Sequence, residues 1–207
     1  MRVIPSDIWN KCLIYDVETQ LMSSEVPGEW ENPFGMLIAS CVVYVPKVKR
    51  YAFYGDTEVD RKRLQILLEK VPYRVGFNSV KFDNRVIFGN DYEQAPWEGH
   101  LNDVDLMHVF GFAEFPDHTT PEQLMNYIRS RKEGKVRNLN AYAQATLGMA
   151  KTDHGENAPF LYRQKKTLEL LEYNLNDVVI TAELLRFVLD NKCVKNGNGI
   201  QVEVKVQ

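Results

Sequence analysis

Cysteine is scarce in this chain. Cys12, Cys41 and Cys193 are scattered through 207 residues without a C-x-x-C pair. That excludes a disulfide framework and a zinc finger, and it suits a reducing compartment. Each of the three reads as a small buried hydrophobe. Long apolar runs are lacking as well. The longest nearly apolar stretch, Phe34 to Val45, falls short of the roughly 20 residues a membrane-spanning helix needs. Met1–Asn10 has no apolar core of the signal-peptide kind. A soluble, cytoplasmic protein with no membrane contact is the expectation. Neither sign of charge dominates: 25 basic against 28 acidic residues leave a formal net charge of −3. A uniformly basic nucleic-acid coat protein is thereby excluded. Nucleic acid as substrate is not, because local basic patches and bound divalent ions can outweigh a weak negative total. No internal repeat or low-complexity tract occurs. With 44% hydrophobic and 26% charged residues, the chain has the composition of a globular domain able to bury roughly 70% of its unfolded surface.

Along the chain, the apolar pattern predicts strands at Lys11–Asp16, Phe34–Val45, Arg50–Tyr54, Arg74–Phe77 and Val104–Phe110. Asp56-Thr57 precedes a helix whose apolar face is Leu64, Leu67 and Leu68, with Thr57 and Asp60 forming a capping box. Asn78 is the expected N-cap of a short helix after the fourth strand. From Gly111 to Arg137 the text is irregular and then basic, with a helix start at Thr120-Pro121-Glu122 and a stop at Gly134. A helix at Leu139–Leu147 closed by Gly148 follows, then a long helix from Thr167 to Asn191. The alternating tail Ile200–Val206 reads as a final half-exposed strand whose edge is available to a partner. Strands first, and then strands alternating with helices, predict one mixed-sheet α/β domain over residues 1–207.

Three motifs carry chemistry. Asp16-Val17-Glu18 ends the first strand, and carboxylates at i and i+2 of a strand share a face, so together they can hold a divalent cation. Three D-x-E strings occur, beginning at Asp16, Asp56 and Asp91, against about one expected by chance. Only the first follows a buried strand; solvated strand-end carboxylates would nonetheless give the same string. The second motif runs from Asn78 to Asp83. Its Asp falls in the first turn of the short helix, where the helix dipole alone favours a carboxylate. The third, Tyr173 through Asp177, lies on the long helix. Leu168, Leu171, Leu175, Val178, Ala182, Leu185 and Leu189 form one apolar stripe of that helix. Leu170, Tyr173, Asp177, Ile180, Leu184 and Phe187 form another, so the helix is covered on both sides and buried. Asp177 is the one charge within its stripe and needs a cation or a basic neighbour.

Asp16, Glu18, Asp83 and Asp177, in that order and with a Tyr four residues before the last, resemble the DEDD superfamily of 3′–5′ exonucleases. The Tyr places the resemblance in the branch that holds the proofreading domains of DNA polymerases. It spans about Leu13 to Leu189, and the text around Val75–Asn78 and Asn140–Gly148 also looks like that of the family. The other branch has a His just before the last Asp, and none of His100, His108, His118 and His154 is so placed.

The resemblance implies an RNase H-like fold, a five-stranded mixed sheet flanked by helices with carboxylates at its edge. It implies two-metal phosphodiester hydrolysis with Mg²⁺, or Mn²⁺ in its place. Asp16 would bridge both ions, Glu18 and Asp177 would complete the first, and Asp83 would hold the second. Two cations about 4 Å apart activate the water and stabilise the leaving oxygen. Tyr173 would position the water, since a phenol of pKa about 10 is a poor base. Thr19, Leu21, Asn78 and Phe82 match positions that grip the terminal nucleotide; Phe82 is equally readable as core.

Outside these motifs, Asp103 and Asp105 flank a strand and read as structural. Lys151 and His154 read as solvated loop residues. Arg129, Arg131, Lys132, Lys135 and Arg137, against the single acid Glu133, form either a phosphate-binding surface or a solvated face. The sequence thus points to a metal-dependent 3′–5′ exonuclease acting on the free 3′ end of DNA, single strands preferred. A role in replication or repair would be exercised in trans with other proteins. An exoribonuclease, and a catalytically silent nucleic-acid-binding module on the same fold, are the alternatives.

Overall fold

A computed structural model describes residues 3–90, 92, 103–131, 134–149 and 158–207. Asp91, Glu93, His100, Lys132, Glu133, Lys151 and His154 lie outside the described residues. The five-stranded sheet has the order β3-β2-β1-β4-β5, built from β1 (Cys12–Thr19), β2 (Ile38–Val45), β3 (Arg50–Tyr54), β4 (Tyr73–Gly76) and β5 (Asp103–Asp105). β1 pairs antiparallel with β2 and parallel with β4; β2 and β3 are antiparallel, β4 and β5 parallel. This is the mixed sheet expected of an RNase H-like fold.

The period-2 alternation of β1 divides its side chains between two layers. Leu13, Tyr15 and Val17 face Leu64 and Leu68 of α1 (Glu58–Glu69) and Val86 and Ile87 of α2 (Asp83–Phe88). Cys12 and Ile14 point the other way, into a core shared with Tyr142 of α5 (Leu139–Leu147) and with Val178 and Leu185 of α7 (Thr167–Asn191). Asp16 and Glu18 continue that second face, so strand geometry aims both carboxylates at α7. Cys12 and Cys41 are buried and Cys193 half-buried, all as free thiols; burial pushes the Cys12 thiol up to about 12.

Local chemistry explains most helix starts. The side chains of Thr57, Thr120 and Asn138 accept N–H bonds in the first turns of α1, of α4 (Pro121–Ser130) and of α5. Gly148 ends α5 in the left-handed conformation, φ 68°.

Four sequence expectations need correction. Pro33–Met36 is a 3-10 turn, so β2 starts at Ile38 and not at Phe34; apolar continuity does not separate a strand from the turn feeding it. Val104–Phe110 is mostly helix. β5 stops at Asp105, which accepts the Met107 N–H and caps α3 (Leu106–Glu114). The stretch 111–137 is less irregular than expected, holding the end of α3, all of α4 and a 3-10 turn at Gly134–Val136. The tail is not one long strand: β7 (Gln201–Glu203) pairs with β6 (Cys193–Lys195), and Val206 bridges to Ile4. No described helix is long and apolar enough to cross a membrane.

A buried polar knot locks β4, β5 and α2 together. Arg74 Nε lies 2.8 Å from Asp103 Oδ1, and its guanidinium donates to the Tyr92 hydroxyl at 2.7 Å. Tyr92 donates to Asp103 Oδ2 at 2.6 Å, and Asn84 Nδ2 to Asp103 Oδ1 at 3.3 Å. Asn84 also accepts the hydroxyl proton of buried Tyr15. Removing one member of a buried ion pair leaves its partner's charge uncompensated. Arg74→Met is therefore expected to lower unfolding stability by about 3–5 kcal/mol, read as a shift in urea midpoint at constant m-value.

Candidate metal centre

Three carboxylates from two elements converge at the end of β1. One oxygen each of Asp16, Glu18 and Asp177 lie within 4.8 Å of one another. Asp16 is half-buried, Glu18 and Asp177 buried. The β1–β2 register shifts between Glu18 and Thr19, a bulge of the kind that re-aims side chains where pairing ends. α7 lies across β1 and β2 and brings Tyr173 and Asp177 from one of its faces.

Asp83 arrives from the opposite layer. As the first residue of α2 it is almost fully buried, and its Oδ1 accepts the Val17 N–H at 2.9 Å. Burial pushes its carboxyl up to about 7, against the pull of the Val17 and Asp83 N–H groups; the nearby Asp105 and Asp177 carboxylates push it further up.

All nine residues singled out from the sequence border one cleft of about 840 Å³. Asp16, Glu18, Thr19 and Leu21 line it from β1 and the following loop, Asn78, Phe82 and Asp83 from the approach to α2, and Tyr173 and Asp177 from α7. The Thr19 hydroxyl donates to the Leu21 carbonyl at 3.0 Å. Asn78 is not the N-cap expected of it. α2 begins only at Asp83, and Asn78 takes a left-handed turn conformation, φ 63°, which Asn tolerates better than most residues. Asp105 holds that turn, accepting from the N–H of Asn78 at 2.9 Å and of Val80 at 3.2 Å. Asp103 and Asp105 thus serve the structure, as their positions beside a strand suggested.

Asn174 was missed by the sequence reasoning. Fully buried, it donates from Nδ2 to Asp16 Oδ2 at 2.7 Å and accepts from the Ser40 hydroxyl at 3.3 Å. The available signal was an Asn three residues before Asp177, hence on its helix face, within an otherwise apolar surrounding. The basic segment also divides. Arg137 is buried and pairs in bidentate fashion with Glu114, through Nε at 2.9 Å and a terminal nitrogen at 2.6 Å. It is a structural cation and no part of a phosphate surface, whereas Arg131 and Lys135 are exposed.

The donor set suits a hard divalent cation, since carboxylate oxygens brought this close stabilise an ion that offsets their mutual repulsion. What fold and cleft together define is an α/β sheet with an acidic cluster where a central strand meets a long crossing helix. No protein-family model and no curated protein matches the chain. Among solved structures it is similar to a family B DNA polymerase from the hyperthermophilic archaeon Pyrobaculum calidifontis, with a TM-score of 0.52 and 15% identity. The match covers 86% of this chain and 24% of that one, so the likeness concerns about a quarter of the polymerase and extends to fold alone.

The raised Asp83 carboxyl has a stability consequence. Between the ordinary carboxylate range near 4 and its folded value of about 7, the native state binds a proton that the unfolded state has lost. Metal-free protein should therefore lose stability as pH rises through that window. Asp83→Asn keeps an acceptor for the Val17 N–H and removes the charge. Thermal melts in EDTA from pH 4.5 to 7.5 should show a smaller fall for the variant than for the parent protein.

Proposed function

We propose that the chain is a metal-dependent 3′–5′ exonuclease of the DEDD superfamily, Tyr-containing branch, which removes nucleotides from the 3′ end of DNA and prefers single strands. The observation that carries this reading is the meeting of Asp16, Glu18 and Asp177 oxygens within 4.8 Å, in a cleft also bordered by Asp83 and Tyr173. Asp16, Glu18 and Asp177 would hold one Mg²⁺, with Asp16 and Asp83 serving the second. Bound there, the ions supply the positive charge that an anionic phosphodiester needs to accept a nucleophile and release its 3′-oxygen.

The chain's own groups set the geometry. Asn174 orients the Asp16 carboxylate by its hydrogen bond, and the Val17 N–H fixes one oxygen of Asp83. Tyr173, 4% exposed at the cleft wall, would orient the attacking water through its hydroxyl without taking its proton, which passes to bulk water, because the phenol is a weak base. Thr19, Leu21, Asn78 and Phe82 grip the terminal nucleotide, the apolar pair against the base and the polar pair toward sugar and phosphate.

The test is cleavage of 5′-labelled single-stranded DNA, duplex DNA and RNA with Mg²⁺, beside a circular single strand. A ladder of shortening DNA, an intact circle and no reaction in EDTA are expected. Preferred cutting of RNA would make the protein an exoribonuclease, and binding without cleavage a silent module. Rapid cutting of the circle would mean an endonuclease.

Substitutions separate the roles. Asp16→Ala or Asp177→Ala should nearly abolish cleavage with the fold intact; metal-free Asp177→Ala should be no less stable, because repulsion is relieved, whereas in Asp16→Ala the loss of the acceptor for buried Asn174 Nδ2 offsets that relief. Tyr173→Phe keeps the ring and loses one hydrogen bond of about 1–3 kcal/mol, so single-turnover rates should fall roughly 5- to 150-fold. Calorimetric titration should find metal binding retained in Tyr173→Phe and weakened in Asp177→Asn.

A further inference from the structure

The reading above leaves the outer wall of the cleft unused. Trp30 borders the same cleft as the carboxylates, yet it is 65% exposed. A ring of that size in water forgoes a large burial gain, and the loop that carries it is tied down. Asn32 Oδ1 accepts the Gly35 N–H at 3.1 Å, and its Nδ2 donates to the Pro27 carbonyl at 2.9 Å. Asn90, two residues past α2, accepts the Phe34 N–H at 3.0 Å and donates to Asn32. A Cβ on Gly35 would come within 2.5 Å of Val26 Cγ1, so the turn is also sterically closed. The ring is therefore held outward by a loop anchored to the helix that carries Asp83. Trp30 leans on Phe82 with centroids 6.1 Å apart and planes tilted by 53°. That is too oblique for a base to be sandwiched between the two rings, and most of the Trp30 surface stays open. Exposed Glu29 and Glu31 flank it, so this wall repels phosphates and favours the uncharged faces of bases.

We propose that Trp30 is a second stacking platform, taking the base immediately 5′ of the terminal nucleotide. This rests on the exonuclease reading, which places the 3′ end at the carboxylates. Phe82 adjoins Asp83 and meets the terminal base; Trp30 stands one ring farther out and meets the next. A base inside a duplex has both faces covered by its neighbours, so a wall that stacks two successive bases selects unpaired or frayed ends. Stacking on a ring is tolerant of base identity, so the selection is for unpaired structure and not for sequence.

The experiment measures equilibrium binding of a short fluorescent oligonucleotide with a free 3′ end, on the Asp177→Asn background in Mg²⁺ to slow cleavage. Adding Trp30→Ala should raise Kd about 5- to 150-fold, the range of one stacked base, and Trp30→Phe should recover most of it. An abasic residue at the penultimate position should cost the Trp30-containing protein a similar factor and cost Trp30→Ala nothing further. Binding should quench tryptophan fluorescence, and Trp30→Phe should abolish that quench. Unchanged Kd for Trp30→Ala, or an abasic penalty equal in both proteins, overturns the proposal while the exonuclease reading stands. An oligonucleotide neither bound nor degraded by the unsubstituted protein overturns that reading itself. If Trp30→Ala fails to fold, the quench that Trp30→Phe abolishes decides the matter: an abasic penultimate residue should remove it from the Trp30-containing protein, and a quench that persists overturns the proposal.

Discussion

Mutual repulsion among carboxylates is the constraint on which the rest of the structure depends. Two unit charges 4.8 Å apart repel by on the order of 3 kcal/mol at an effective permittivity near 20. Asp16, Glu18 and Asp177 make three such pairs, with Asp83 pressing from the other layer. A fold that keeps them together must be rigid on every side of the cluster. β1 supplies this as the middle strand of five, α7 by lying across β1 and β2, and α2 through its hydrogen-bonded grip on Val17. The Asp83 carboxyl is pushed up to about 7 chiefly by burial, and the Asp105 and Asp177 charges add to the same shift.

Acids are indistinguishable in a sequence until their partners are known, and this chain holds two kinds. Asp103 is absorbed by Arg74, Tyr92 and Asn84, and Asp105 by the amides of Asn78, Val80 and Met107. Asp103 thereby ties β4, β5 and α2 together, and Asp105 fixes the turn that carries Asn78. Asp16, Glu18 and Asp177 instead turn toward one another. Asn174 belongs between these kinds: it is a neutral donor that steadies one acid without cancelling its charge.

Most of the architecture was legible because local rules govern it. The span Thr167–Asn191 follows from its apolar stripes, and the helix starts at Thr57 and Thr120 follow from side-chain chemistry. The failures have equally physical causes. Val104, Val109 and Phe110 have strand propensity, but the Asp105 cap and the packing of α3 override it. Phe34 looked like the start of a strand because a Pro-led turn can be as apolar as the strand it feeds. Strand parity put Asp16 and Glu18 on one face and the helix stripes made Asp177 a buried charge, while the joining of these acids in one site was implied by the family resemblance. Asn174 and Trp30 were not legible, since one depends on Asp16, 158 residues away, and the other on a loop conformation with no periodicity.

That separation has a kinetic meaning. Residues 16 and 18 leave the ribosome well before Asp83, which joins them across 66 residues, and Asp177 follows only when α7 has been made. Contacts so distant along the chain form late, because the entropy of closing large loops is spent before they yield anything. The acidic cluster is therefore assembled from such long-range meetings between β1 and α7. A nascent or partly unfolded chain carries these acids apart, so the three oxygens that meet within 4.8 Å come together only on completion of folding.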